Sequence, residues 1–310
     1  MWRDFSSLWA LVVFAVLIVL IFSVWLFLPG ADALDEDALT DLKNEGEPNK
    51  TLLDQQTQIK TKISDHKIRA FQLAKIGDSL FECEDAFAIS DNKNRLAISD
   101  GVSQSFASRI WAQTIVKHLV KSEIPSDIEI LILEAAKEWQ FEVESQLNPN
   151  TQWNVRKKIE VGAQATFASL IFEIQGNSLQ WAAQLIGDCA VAQISVQSDL
   201  SHGVTLCPSS CLDSPNGNPD TVSSQPPYVR GTPISYQGVM HAGDRLLVMT
   251  DALAIYMAQM ANEGACISSI FPFLSEDTQN PYVAFEHWAN SLRPSEIEDD
   301  DLTLIEIGYG

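Results

Sequence analysis

The chain has 310 residues, enough for one large domain or two ordinary ones, and 46% are hydrophobic, which excludes wholesale disorder. It carries 20 Lys+Arg against 41 Asp+Glu, a formal charge of −21, and has no basic patch interleaved with aromatics. Such a surface repels phosphate backbones and argues against nucleic acid as a partner.

The five cysteines (Cys83, Cys189, Cys207, Cys211 and Cys266) are scattered and odd in number, so no disulfide framework is expected. Cys207 and Cys211 lack the second pair, or nearby histidines, that a zinc site needs.

At the N-terminus, no charged residue occurs between Asp4 and Asp32, and Leu8–Leu28 is almost wholly apolar. Its 21 residues can cross a hydrocarbon core of about 30 Å, with Trp9 and Trp25 near the two interfaces. A cleavable signal peptide is the rival reading, since Ala31-Asp32-Ala33 offers a small-x-small site. Its apolar part should be shorter and its start more basic, so residues 1–28 are read as an anchor spanning 8–28.

Residues 29–67 form an acidic polar linker; from Pro29 to Lys50 there are seven acidic residues and two lysines. That charge signal leans toward placing the bulk of the chain outside the cytoplasm. Unpaired cysteines favour a cytoplasmic domain on a single-pass membrane protein, which is the expectation taken.

The folded domain is expected over 68–310, opening with a strand at Ile68–Ala74, where apolar and polar residues alternate. Ala86–Ile89 and Leu96–Ile98 flank Asp91-Asn92-Lys93-Asn94, the signature of a β-hairpin. Helices are expected at Ser105–Val120, and at Asp127–Leu147 with Ser126 or Asp127 as cap. Strands follow at Ala165–Ile174, Leu179–Ile186 and Ala190–Val196.

Ser198–Arg230, with five prolines, reads as loop. Then come a strand at Arg245–Met249, a helix at Ala252–Asn262, helical segments at Ala265–Leu274 and Pro281–Leu292, and a last strand at Leu302–Ile307. Strands in hairpin order with helices between them predict an α+β domain.

Carboxylates recur at strand ends. Asp85 opens one hairpin strand and Asp100 closes the other, which places them side by side. Asp251 follows Arg245–Met249, and Asp300 precedes Leu302–Ile307. Aspartate is common at strand ends for turn chemistry alone. Four converging on one sheet edge repel one another unless a divalent cation neutralises them, and an all-oxygen site suits magnesium or manganese.

These segments resemble, in order, the metal-dependent protein serine/threonine phosphatases (PPM, or type 2C). Glu84-Asp85-Ala86-Phe87 and Asp100-Gly101-Val102 are similar to their first two acidic motifs. Gly162-Ala163-Gln164-Ala165-Thr166 and Leu185-Ile186-Gly187-Asp188 resemble two internal motifs. Gly243-Asp244-Arg245-Leu246-Leu247 with Thr250-Asp251, and Asp300-Asp301-Leu302-Thr303, resemble the last two. Asp100–Trp111 looks most like a bacterial branch.

The resemblance implies a four-layer α-β-β-α sandwich of two antiparallel sheets, here preceded by the transmembrane helix. It implies two Mn²⁺ or Mg²⁺ ions. Asp85 and the Gly101 carbonyl would hold one, Asp251 and Asp300 the other, and Asp100 both. Glu84 would act through metal-bound water, and Asp188 with Asp251 would hold a third, weaker ion. It further implies a shared water that ionises near neutral pH and attacks phosphorus in line.

The expected protein is a membrane-anchored phosphatase for phosphoserine and phosphothreonine in proteins, with a monomeric catalytic domain. One departure supports an alternative, a phosphatase-like sensor or scaffold domain: Gly77–Glu82 lacks the arginine that the family places before its Glu-Asp pair. Arg69, Arg109 and Arg230 are candidates to replace it, whereas Arg245 is expected to make a structural ion pair.

Overall fold

A computed structural model describes residues 66–92, 94–122, 127–147, 153–196, 202–208 and 219–310. The expected span Leu8–Leu28, the linker up to residue 65 and Cys211 lie outside the described residues. Among the described residues no helix is long and apolar enough to cross a membrane.

The strands are β1 (His66–Leu73), β2 (Ala86–Ile89), β3 (Arg95–Gly101), β4 (Gln164–Gln175), β5 (Ser178–Ile186) and β6 (Ala190–Val196). They continue as β7 (His202–Cys207), β8 (Thr221–Ser223), β9 (Val229–Arg230), β10 (Ile234–Met240), β11 (Arg245–Met249) and β12 (Leu302–Tyr309). The helices are α1 (Ser108–Lys121), α2 (Ile128–Ser145), α3 (Trp153–Val161), α4 (Asp251–Asn262), α5 (Ile267–Ile270) and α6 (Pro281–Leu292).

Two antiparallel sheets result. One has the order β1-β12-β11-β6-β7; the other runs β10-β5-β4-β3-β2, with β8 and β9 joined to the Gln164 end of β4. The register of the β2–β3 hairpin pairs Ala86 with Ser99. One step further along, Asp85 therefore comes level with Asp100.

Strand β11 shows why the sheets stack. Its continuous apolar run buries both faces, as expected for a strand in an inner layer. Leu246 and Val248 join Leu96, Ile98, Leu170, Trp181, Ile305 and Ile307 between the sheets. Leu247 and Met249 point the other way, onto Leu253, Met257 and Phe285 of the helices. On the opposite side, α1 buries Trp111, Ile115 and Leu119, and Trp111 Nε1 donates to Val222 O of β8 at 3.2 Å. The layers are helix, sheet, sheet, helix.

Most expected elements are present, with ends moved by one to three residues. Asp127 caps α2 by accepting from Glu129 N at 3.0 Å. Two expectations need correction. The stretch Ser198–Arg230, read as loop, contributes β7, β8 and β9, short pieces at sheet margins whose pairing supplies what their composition does not. Ala265–Leu274 is not one helix: Phe271 leaves the helical region at φ −125°, ψ 72° ahead of Pro272, and a 3₁₀ turn, Pro272–Leu274, follows. Helix α3 and edge strand β10 carry too weak a pattern to be expected from sequence.

Candidate functional site

The hairpin ends, the start of α4 and the segment before β12 meet at one edge of the sandwich. Asp85 is 3% exposed. Its Oδ2 accepts from Thr250 Oγ1 at 3.1 Å, whereas Oδ1 is buried without a hydrogen-bond partner among the described residues. Thr250 in turn accepts from Thr303 N at 3.1 Å, which ties α4 to β12 directly beneath Asp85. Asp251 opens α4, and its Oδ1 accepts from Ala252 N at 2.6 Å. Asp188 Oδ1 is likewise buried without a hydrogen-bond partner among the described residues.

Gly101 lies where the backbone packs tightly. A Cβ there would stand 2.9 Å from Glu84 O and 3.0 Å from the Ser108 backbone, so no other residue fits without displacing main chain. Ser108 Oγ donates to Glu84 Oε1, fixing the side chain next to Asp85.

The carboxylates feel one another's charge. Burial, then the charges of Asp301 and Asp251, push Asp85 well above the ordinary carboxylate range. Asp100 is raised well above it by burial and by Asp85, Asp251, Asp300 and Asp188. Burial and the charges of Asp188 and Asp300 raise Asp251 to about 7. Asp188 is raised by burial, with Asp300 adding to the effect. Every aspartate expected from the sequence thus enters one mutually repelling group.

Among the described residues no three His, Cys, Asp or Glu side chains are drawn together tightly enough to hold a metal ion as they stand. The donor chemistry nonetheless fits a hard divalent cation. It is all oxygen and strongly acidic, with a buried Asp85 oxygen left without a donor.

These raised values set the sign of a pH effect. A carboxyl whose folded-state pKa exceeds the unfolded value of 3.8 destabilises the fold once it ionises. The penalty is absent below that value and complete above the folded one, about 7 for Asp251. In EDTA, stability is expected to fall from about pH 4 to about pH 7, and Asp251→Asn to remove part of that fall, on the order of a few kcal/mol. Thermal unfolding of both proteins across that range checks this; parallel curves would contradict it.

Three neighbours buttress the site, and of these only Asp301 falls within a motif quoted from the sequence. Asp301, 4% exposed, accepts from Lys75 N at 2.9 Å and from Glu84 N at 2.7 Å, stapling the segment after β1 to the start of β12. Arg293, 6% exposed, donates to Ala74 O at 2.8 Å and to Asp300 O, holding the ends of that staple together. Lys75 reaches the cluster itself. Partial burial works against its ammonium, but pairing with Asp300, helped by Asp301 and Glu84, raises its pKa above the ordinary lysine value.

Arg69 is not free to grip a phosphate. It is committed to Glu306, with Nη2 donating to Leu274 O at 2.7 Å. Arg245 makes the expected structural pair, Nη1 to Glu306 Oε1 at 3.1 Å. Arg109 lies over the Phe81 ring at 5.9 Å. Cys83 and Cys189 are buried small side chains flanking the aspartates.

No family model and no curated protein matches the sequence. Solved structures do resemble it. The serine/threonine phosphatase Stp1 from Staphylococcus aureus is 14% identical, with 82% of this chain and 98% of that chain covered at a TM-score of 0.50. PppA, a regulatory component of T6SS in Pseudomonas aeruginosa, is 14% identical over 80% of this chain and 99% of its own, with a TM-score of 0.49. The Mycobacterium tuberculosis phosphatase PstP/Ppp is 15% identical over 79% and 99%, with a TM-score of 0.48. The likeness to Stp1 establishes the fold: this chain has the two-sheet sandwich of a serine/threonine phosphatase.

Proposed function

We propose that the chain is a metal-dependent phosphatase acting on phosphoserine and phosphothreonine in proteins. One observation carries the reading. Asp85, Asp100, Asp188, Asp251 and Asp300 repel one another at a single edge of a phosphatase-type sandwich, and the deepest of them keeps an unpartnered oxygen. A fold bears that destabilisation when a cation is to be bound there.

Asp85 with the Gly101 backbone would hold one Mn²⁺ or Mg²⁺ ion, Asp251 with Asp300 a second, and Asp100 would serve both. Glu84 and Asp188 are the outer candidates, Asp188 for a third ion. Bound divalent ions supply Lewis acidity and a nucleophile near neutral pH for attack on phosphorus. The remaining work belongs to the chain. Thr250 orients Asp85, Ser108 orients Glu84, and Asp301 with Arg293 fixes the segment bearing Asp300.

The apolar stretch Leu8–Leu28 supports a single-pass anchor and the unpaired cysteines a cytoplasmic face, with a phosphoprotein as substrate and the catalytic domain monomeric. Assay of the full-length chain on a phosphothreonine peptide tests the reading. Phosphate release is expected only with added Mn²⁺ or Mg²⁺, and EDTA should abolish it. A chain that binds Mn²⁺ yet releases no phosphate from any phosphopeptide would overturn the enzyme reading in favour of a sensor or scaffold.

A further inference from the structure

The cluster already contains one cation. Lys75 lies two residues beyond β1, and its Nζ is 3.1 Å from Asp300 Oδ1 and 3.7 Å from Glu84 Oε2. It also donates to Ser103 Oγ at 3.0 Å. Three groups from three separate segments therefore surround one ammonium. The backbone holds it there: Lys75 N donates to Asp301 Oδ1 and Ile76 N to Asp299 Oδ1, each at 2.9 Å. The acidic run 299–301 thus anchors the lysine's main chain and supplies its closest charge partner. The side chain is 27% exposed, so the ammonium sits at the rim of the cluster, within reach of both solvent and carboxylates.

We infer that Lys75 is a tethered counter-ion that competes with a divalent cation for Asp300, lowering affinity on that side of the centre. The inference rests on the metal-centre reading above. Asp300 Oδ1 already accepts from Asp301 N at 2.8 Å as well as from Lys75, so an incoming ion must break the ammonium contact to use that oxygen. The displaced ammonium can swing toward solvent but stays tethered to the rim, because its backbone is held by the Asp301 staple, so its charge would still oppose that of a divalent ion nearby.

On the Asp85 side the ammonium reaches only Glu84, at 3.7 Å, and among the described residues no cation pairs with Asp85 itself, whose contact with Thr250 is uncharged. Two steps of unequal affinity are the consequence, the weaker one set by Lys75.

The test reads metal binding rather than turnover. Mn²⁺ is titrated into the full-length chain and into Lys75→Gln and Lys75→Arg, followed by calorimetry and by the electron paramagnetic resonance of free Mn²⁺. Lys75→Gln is expected to tighten the weaker step about tenfold at low salt, with the gap narrowing as salt rises. Lys75→Arg, which keeps the charge, is expected not to tighten it. Equal or weaker Mn²⁺ binding by Lys75→Gln overturns the inference while leaving the metal centre standing. No Mn²⁺ binding by any of the three proteins overturns both.

Discussion

Asp100→Asn is expected to lower phosphopeptide hydrolysis by about a hundredfold or more while making the metal-free protein more stable. Asp100 feels the charges of Asp85, Asp251, Asp300 and Asp188 together. In the proposed arrangement its loss would remove charge from both principal cation positions at once, and a metal's contribution to transition-state charge is worth several kcal/mol, each 1.4 of which is about tenfold in rate. The same repulsion makes its charge costly to the empty fold, so the neutral isostere relieves strain.

The two effects have opposite signs, and that separates the proposal from a purely structural role. Initial rates at saturating Mn²⁺, with thermal midpoints in EDTA, measure both. A variant that loses stability along with activity would show Asp100 to be a structural residue, and full activity would remove it from the site.

The second large effect lies away from the centre. Arg69→Leu is expected to destabilise the fold by about 3 kcal/mol, because it strands Glu306, 3% exposed, between a sheet and its covering helices. Arg69 and Glu306 pair across β1 and β12, and Leu274 O accepts from both Arg69 and Arg245. Arg245 remains as a partial partner for Glu306, which keeps the loss near the lower end of the range for a broken buried pair.

Removing both charges in Arg69→Leu/Glu306→Leu should recover most of the loss, since apolar groups of similar size replace a buried pair at little cost. Urea unfolding of the single and double variants measures this. KM for the peptide should not move, because Arg69 is engaged on the far face of its sheet; a raised KM would return it to the list of phosphate-binding candidates.

How far the amino-acid order reaches is visible residue by residue. Period-two alternation, helical spacing and turn residues are short-range signals, and they located the β2–β3 hairpin, Arg245–Met249, Pro281–Leu292 and the Asp127 cap. They also placed Asp85, Asp100, Asp251 and Asp300 at strand ends, because an aspartate at a turn announces itself locally. Where the local pattern was thin, at β7 to β10 and α3, the elements exist because neighbours pair with them or cover them.

By itself, then, the sequence determined the α+β class and the acidic positions; the layer architecture and the two-metal chemistry entered only through the family resemblance. Only the tertiary structure decided what those carboxylates touch. Thr250 meets Asp85 across 165 residues, Lys75 meets Asp301 across 226, and Arg69 meets Glu306 across 237. No periodicity spans such separations. A lysine ten positions before an aspartate, or an arginine seven before another, is an ordinary surface residue until chain closure brings β1 beside β12. Packing geometry alone turned Arg69 from a phosphate-binding candidate into a buried ion-pair partner and Lys75 into the cation at the centre's rim.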